Sequence, residues 1–70
     1  MKEIPLISSA LTACAYDPQR QFLWIRFRAG ERYIYKTIPM AVIQALLQAP
    51  SQGKYFNSKI RAKFPFERLS

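Results

Sequence analysis

Two turn signals divide the middle of the chain into three short runs, and this division constrains the fold more than any other feature of the sequence. The first signal is residues 17–20, Asp-Pro-Gln-Arg, in which aspartate and proline occupy the first two positions of a type I turn. The second is Gly30, since glycine readily adopts the left-handed backbone of a three-residue hairpin loop. The flanking runs are rich in aromatic and branched side chains, as strands are. The sequence therefore predicts a three-stranded antiparallel meander over residues 10–38.

The alternation of side chains between the two faces of a sheet predicts the register of these strands. A three-residue loop at the second turn pairs Ile25 with Tyr33 and keeps one face apolar, whereas a two-residue loop would place Arg32 within that face. A four-residue first loop places Cys14 opposite Leu23. The predicted covered face comprises Cys14, Tyr16, Leu23, Ile25, Phe27, Tyr33 and Tyr35.

Signals for two helices follow the meander. Pro39 is tolerated in a first helical turn, because its missing N–H would have no intrahelical partner there. Apolar residues at helical spacing predict that this helix continues to about Gln48. Ser51 is the predicted N-cap of a second helix that ends at about Ala62. The predicted fold class is α+β, a three-stranded antiparallel sheet followed by two helices packed on one face in the order β-β-β-α-α.

The length and these elements predict one domain over residues 1–70. Its predicted parts are an N-terminal segment (1–9), the meander (10–38), the two helices (39–62) and a C-terminal tail (63–70). A domain of this size buries only about 60% of the surface that its unfolded chain exposes. With one cysteine and no histidine, the sequence offers neither a disulfide nor a metal site to add stability.

The charge of the chain admits two interpretations. Eleven Lys and Arg residues against four Asp and Glu residues give a formal net charge of +7. Such a surplus attracts polyanions, because each phosphate that a cation neutralises releases counterions. It also keeps a small domain soluble in the absence of any ligand. Residues 49–69 interleave cations with aromatic and aliphatic side chains, which indicates a folded surface with a charge bias rather than a disordered basic tail.

The chain resembles the KTSC domain family over nearly its whole length. The residues that carry the resemblance are the run 49–69 (APSQGKYFNSKIRAKFPFERL), the strand end Ile38-Pro39, the helical pair Leu46-Leu47, and the pairs Ser8-Ser9 and Tyr16-Asp17. Members of this family occur at the carboxyl end of some lysyl-tRNA synthetases and also as small separate proteins. The resemblance implies an α+β fold and a relation to RNA, and it supplies no catalytic residue.

The first candidate binding surface lies on the second predicted helix. Its cations are Lys54, Lys59, Arg61 and Lys63. At helical spacing Lys54 and Arg61 share one stripe, and the other two flank it. These side chains could follow a phosphate backbone. Alternatively, they form an ordinary solvated face whose last charges complement the helix dipole.

The face of the sheet away from the helices is the second candidate. Trp24 lies on it, and Arg26 is predicted to lie directly opposite Arg32. An exposed indole among cations resembles the platforms on which single-stranded bases stack. Alternatively, the C-terminal tail or a second protomer covers this face, since small domains rarely leave an apolar patch open.

Enzymatic and membrane functions find no support in the sequence. Histidine is absent and the four carboxylates are scattered, so neither general acid–base chemistry nor an activated nucleophile is expected, and we expect no cofactor and no metal. Cys14 is predicted to be a small buried side chain in a reducing cytoplasm. No run approaches the roughly 20 apolar residues that a membrane span needs.

The predicted function is a small, cytoplasmic, non-catalytic module that binds RNA or single-stranded nucleic acid. The residues predicted to make contact are Lys54, Lys59, Arg61 and Lys63, extended by Arg26, Arg32 and Trp24. The alternative is a protein–protein interaction module, either a homodimer or an accessory domain that docks through the face bearing Trp24.

Overall fold

The computed structural model describes residues 2–70 and shows a five-stranded antiparallel sheet with helices against one face. The strands, which lie in the sheet in chain order, are β1 (Ile4–Pro5), β2 (Leu11–Asp17), β3 (Phe22–Phe27), β4 (Arg32–Tyr35) and β5 (Phe66–Arg68). Between β4 and β5 lie α1 (Met40–Gln48), α2 (Gln52–Phe56) and a π-helical turn (Asn57–Arg61) that continues α2. No helix within residues 2–70 is long and apolar enough to span a bilayer.

The predicted α+β class, with two helices on an antiparallel sheet, is confirmed, but the prediction of three strands is wrong. The segment before the predicted meander contains β1, and the predicted tail contains β5. Strands of two and three residues are too short to show an alternating pattern, and Pro5 and Pro65 are signals against a strand. Both strands lie at sheet edges, where short strands and proline are tolerated.

The predicted register is confirmed for one pair of strands and wrong for the other. Ile25 of β3 lies opposite Tyr33 of β4, as expected. Cys14 of β2, however, also lies opposite Ile25 rather than Leu23, because Asp17 extends β2 instead of opening the loop. The register differs by two residues, so every side chain keeps its face. The predicted covered face therefore lies in the core or packs against it.

A β-bulge brings the start of β2 into the core. Leu11 and Ala13 oppose consecutive residues of β3, so Thr12 is the extra residue. Without the bulge, Leu11 and Cys14 would point to opposite faces of the sheet. Both are instead almost fully buried, at 1% and 2% exposure.

The core lies between the inner face of the sheet and the helical layer. Its centre consists of Cys14, Leu23, Ile25 and Tyr35 from the sheet, and Ile43, Leu46, Phe56 and Ile60 from the helices. Each of the three parts of the helical layer buries at least one side chain in this core, including Ile60 of the π-helical turn.

The second helix differs from its prediction in its final turn. Ser51 is the N-cap, as expected, and its Oγ accepts the N–H of Lys54 at 3.3 Å. The segment is α-helical only through Phe56, and the turn from Asn57 to Arg61 is π-helical. Such turns are rare, occur mostly as single turns next to α-helices, and are frequent at functional sites.

The helix α2 approaches the segment between β1 and β2 at Gly53. A Cβ atom at this position would lie 2.8 Å from Ser8 Oγ. That hydroxyl is held in place, because it accepts the N–H groups of Ala10 at 3.1 Å and Leu11 at 3.3 Å. A Cβ atom at residue 53 would force Ser8 to move, so the close approach, and not backbone freedom, favours glycine there.

Substitution of Gly53 tests this close approach. Alanine is favoured over glycine in helices by about 0.8–1.0 kcal/mol, but overpacking costs about 1–3 kcal/mol. We therefore expect Gly53→Ala to lower the free energy of unfolding, measured by urea denaturation. In a Ser8→Ala background the same substitution should be neutral or stabilising, because the obstructing oxygen is gone. An equal effect of Gly53→Ala in both backgrounds would contradict the contact.

Candidate functional site

The open face of the sheet, the side away from the helices, has Trp24 at its centre. The half-buried Trp24 lies between Ala15 and Ile34 of the neighbouring strands. Phe66 of the C-terminal strand points to the opposite face, where its ring centroid lies 5.4 Å from that of Tyr35. The Phe-Pro-Phe segment therefore does not cover Trp24, although Leu69 lines the shallow hollow beside it.

The cations of the open face are engaged by other groups of the chain. Arg26 lies opposite Arg32, as predicted. Arg26 Nη2 lies 2.7 Å from Glu3 Oε2, and Arg32 Nε donates to the hydroxyl of the last residue at 3.0 Å. A third cation of this face, Lys36, pairs with Glu67. Paired charges leave the open face nearly balanced rather than basic.

None of the four cations of the helical segment has an acidic partner within residues 2–70. Three of the four carboxylates pair with cations of the sheet, and the fourth, Asp17, accepts the N–H of Gln19 in its own turn. The sequence has no acidic residue from 32 to 66. We call the exposed cations of this segment the basic helical surface: Lys54, Lys59, Arg61 and Lys63.

The turn from Asn57 to Arg61 arranges this surface. Ser58 Oγ donates to the carbonyl of Lys54 at 2.9 Å, so these two residues lie on the same side of the helical segment. Arg61 Nη1 donates to Asn57 Oδ1 at 3.4 Å. Of the four cations, only Arg61 borders the cleft between the helical layer and the sheet.

This cleft lies between α2 with its π-helical turn and the inner side of β3, β4 and β5, and it has a volume of about 350 Å³. Five of the eleven residues that line it are aromatic, and we call it the aromatic cleft. The ring centroids of Tyr33 and Phe66 lie 5.6 Å apart, and those of Phe27 and Phe56 lie 5.7 Å apart. The polar side chains that line it are Glu31, Asn57 and Arg61.

Sequence reasoning identified Arg61 as a candidate but missed the aromatic cleft. The cleft depends on the pairing of β5 with β4, which places Phe66 opposite Tyr35. The alternation of Phe66, Glu67 and Arg68 was the available signal. When β5 pairs with β4, this order places Glu67 near Lys36 and Arg68 near Glu31. Opposite charges on neighbouring antiparallel strands stabilise their pairing.

Burial changes the pKa of two ionisable side chains in the core, Cys14 and Tyr35. Burial raises the pKa of the Cys14 thiol to about 11, so it stays protonated at neutral pH. Burial also raises the pKa of Tyr35, an effect that the charge of Arg61 opposes. Within the part of the chain that the structure describes, no three His, Cys, Asp or Glu side chains are grouped so as to hold a metal ion.

Comparison with known proteins assigns the chain to a family. The model of the KTSC domain matches residues 7–64, so the chain belongs to the KTSC domain family. A crystal structure of a KTSC domain protein from Yersinia pestis superimposes with a TM-score of 0.93 at 30% identity, and the match covers 99% of this chain and 97% of that one.

Relatives fall into two kinds. An uncharacterised protein of Stutzerimonas stutzeri is 46% identical over 57 residues, which cover 81% of this chain and 80% of that protein. A lysine–tRNA ligase of Nostoc sp. is 39% identical over 62 residues, which cover 89% of this chain but only 11% of the ligase. The same domain thus forms most of one relative and a small part of another.

Because the Cys14 thiol is buried, we expect its ionisation to lower the stability of the folded protein at alkaline pH. The ordinary pKa of cysteine, 9.0, applies to the unfolded chain, whereas the folded value is about 11. The stability contributed by the protonated thiol is therefore complete below pH 9 and is lost as the pH rises through 11. We expect urea denaturation to show that the wild-type protein loses stability relative to Cys14→Ala across this interval. A constant difference between the two proteins would contradict the burial of a protonated thiol.

Proposed function

We propose that this protein is a small non-catalytic module that binds RNA or single-stranded nucleic acid through the basic helical surface. One observation carries the proposal: the charges of the chain are segregated. Carboxylates pair with cations of the sheet, while Lys54, Lys59, Arg61 and Lys63 are exposed and have no acidic partner within residues 2–70.

Segregated cations suit a phosphate backbone better than a neutral partner. Solubility alone requires a net charge, but it does not require the charges to gather in one segment. Cations that lack internal partners are free to neutralise phosphates, and each neutralised phosphate releases counterions. Four such contacts to a single strand predict that log K falls with log salt at a slope of about −3.

The relatives and the interior chemistry support the proposal. Lysine–tRNA ligases, whose name includes an RNA, carry this domain over about a tenth of their length. A protonated Cys14, scattered carboxylates and the lack of histidine support a binding role without catalysis. A free cysteine that needs no oxidising compartment fits a protein of the cytoplasm.

The open face is not part of the proposed surface. Arg26 and Arg32 already contact Glu3 and the C-terminal serine, so a phosphate would have to displace these partners.

For the open face we propose a second candidate function, protein–protein interaction as a homodimer or an accessory domain. The hollow beside Trp24 has a volume of about 330 Å³, apolar side chains such as Leu69, and paired charges around it. Aromatic residues with few free charges are typical of interface cores.

Removal of two exposed lysines tests the nucleic-acid proposal. We expect Lys59→Gln with Lys63→Gln to weaken binding of a fluorescent single-stranded RNA at low salt, and to reduce the magnitude of the salt slope by about 1.4. Fluorescence anisotropy measures both quantities. The matched control is Lys2→Gln with Arg20→Gln, which removes the same charge from exposed positions outside the helical segment. Equal losses in both double variants, or no binding of the wild type to any of several RNA and DNA oligomers, would contradict the proposal.

A further inference from the structure

The aromatic cleft has the composition of a site for a planar ligand. Phe66, on one wall, is 52% exposed, although its ring lies within stacking distance of Tyr33 and Tyr35. Half-exposed aromatic rings that line a concave site offer faces on which another ring can stack. The volume of about 350 Å³ lies at the small end of the range for ligand pockets, about 300–1,000 Å³.

Three polar groups in the lining narrow the chemistry of this ligand. Asn57 offers an amide that both donates and accepts hydrogen bonds, and the Glu31 carboxylate accepts them. Arg61 uses one of its five N–H donors on Asn57, in a contact of 3.4 Å that is long for a hydrogen bond. A purely apolar ligand would make no hydrogen bond to these groups, whose own contacts, Glu31 to Arg68 and Arg61 to Asn57, are both 3.4 Å, and a simple anion would not use the aromatic walls.

The position of Arg61 connects the aromatic cleft to the basic helical surface, because this residue belongs to both. A ligand with a planar ring, hydrogen-bonding edges and an adjoining negative charge matches all the groups together. A nucleobase followed by its phosphate has these properties, and single-stranded RNA is recognised mainly by stacking and by contacts to base edges.

We propose that the aromatic cleft holds one unstacked base of a bound single strand, stacked on the exposed ring of Phe66 and within reach of Asn57 and Glu31, with the adjoining phosphate on Arg61. This inference rests on the proposed function and specifies where base contacts occur within it. The lysines of the basic helical surface then contact phosphates of the flanking nucleotides. Affinity is consequently divided into a base-dependent part in the cleft and a charge-dependent part on the helix.

The first test compares a single-stranded oligomer with an abasic oligomer of equal length and charge. Stacking of a base on an aromatic side chain contributes about 1–3 kcal/mol. The oligomer with bases should therefore bind the full chain about 5- to 150-fold more tightly. Phe66→Leu, which keeps an apolar side chain on β5, should remove most of this difference, whereas Arg61→Gln, which removes a phosphate contact, should weaken both oligomers. Lys59→Gln, outside the cleft, should weaken both oligomers by the same factor.

The second test titrates the four nucleoside 5′-monophosphates against the protein and follows the aromatic proton resonances. At least one of them should shift the signals of Tyr33 and Phe66 while those of Trp24, on the other face of the sheet, stay unchanged. Inorganic phosphate is the control for a bare anion site and should not reproduce the shifts. Circular dichroism and thermal unfolding establish that each variant is folded.

The outcomes separate this inference from the proposed function. If both oligomers bind equally and the monophosphates leave Tyr33 and Phe66 unshifted, the cleft is not a base site but the basic helical surface still binds the strand. If inorganic phosphate produces the same shifts, the cleft takes an anion alone and the inference is wrong. If neither oligomer binds at low salt, both the inference and the proposed function fail.

Discussion

The aromatic cleft and the ion pairs at one edge of the sheet both depend on the pairing of β5 with β4. It extends the sheet past the helical layer and places Phe66 opposite Tyr35, which completes a wall of the aromatic cleft. It also brings Glu67 to Lys36 and Arg68 to Glu31, so two of the four acidic side chains are engaged at this edge. A three-residue strand thus supplies two of the three ion pairs that the structure shows within residues 2–70.

The segregation of charge follows from this topology. Each surface ion pair contributes little stability, about 0–1 kcal/mol, so the pairs are better understood by their effect on the electrostatic surface. They neutralise Arg26, Lys36 and Arg68, while the segment between β4 and β5 carries no acidic residue. The domain therefore presents a balanced sheet face around Trp24 and a basic helical surface on its other side. This division is the basis of our two proposals, that a polyanion binds the helical surface and that a protein binds the sheet.

Much of this fold could be predicted from local pattern, and the remainder could not for identifiable reasons. Turn chemistry and alternation were sufficient for the hairpin of β3 and β4 and for the capping by Ser51. The register of β2 was missed by two residues because face alternation cannot distinguish shifts of two. The edge strands β1 and β5 were too short to carry a pattern. Without β5 there was no basis for the aromatic cleft, so Arg61 was identified only as a cation and not as part of a concave site.

The single tryptophan allows the central claim to be measured directly, since Trp24 lies on the open face and away from the basic helical surface. A labelled single-stranded oligomer can be titrated at low salt while its anisotropy and the emission of Trp24 are followed in the same sample. Binding through the helical layer predicts saturation of the anisotropy with no change in tryptophan emission. Quenching of Trp24 in proportion to the bound fraction would contradict the account, because it would place the bases on the open face of the sheet.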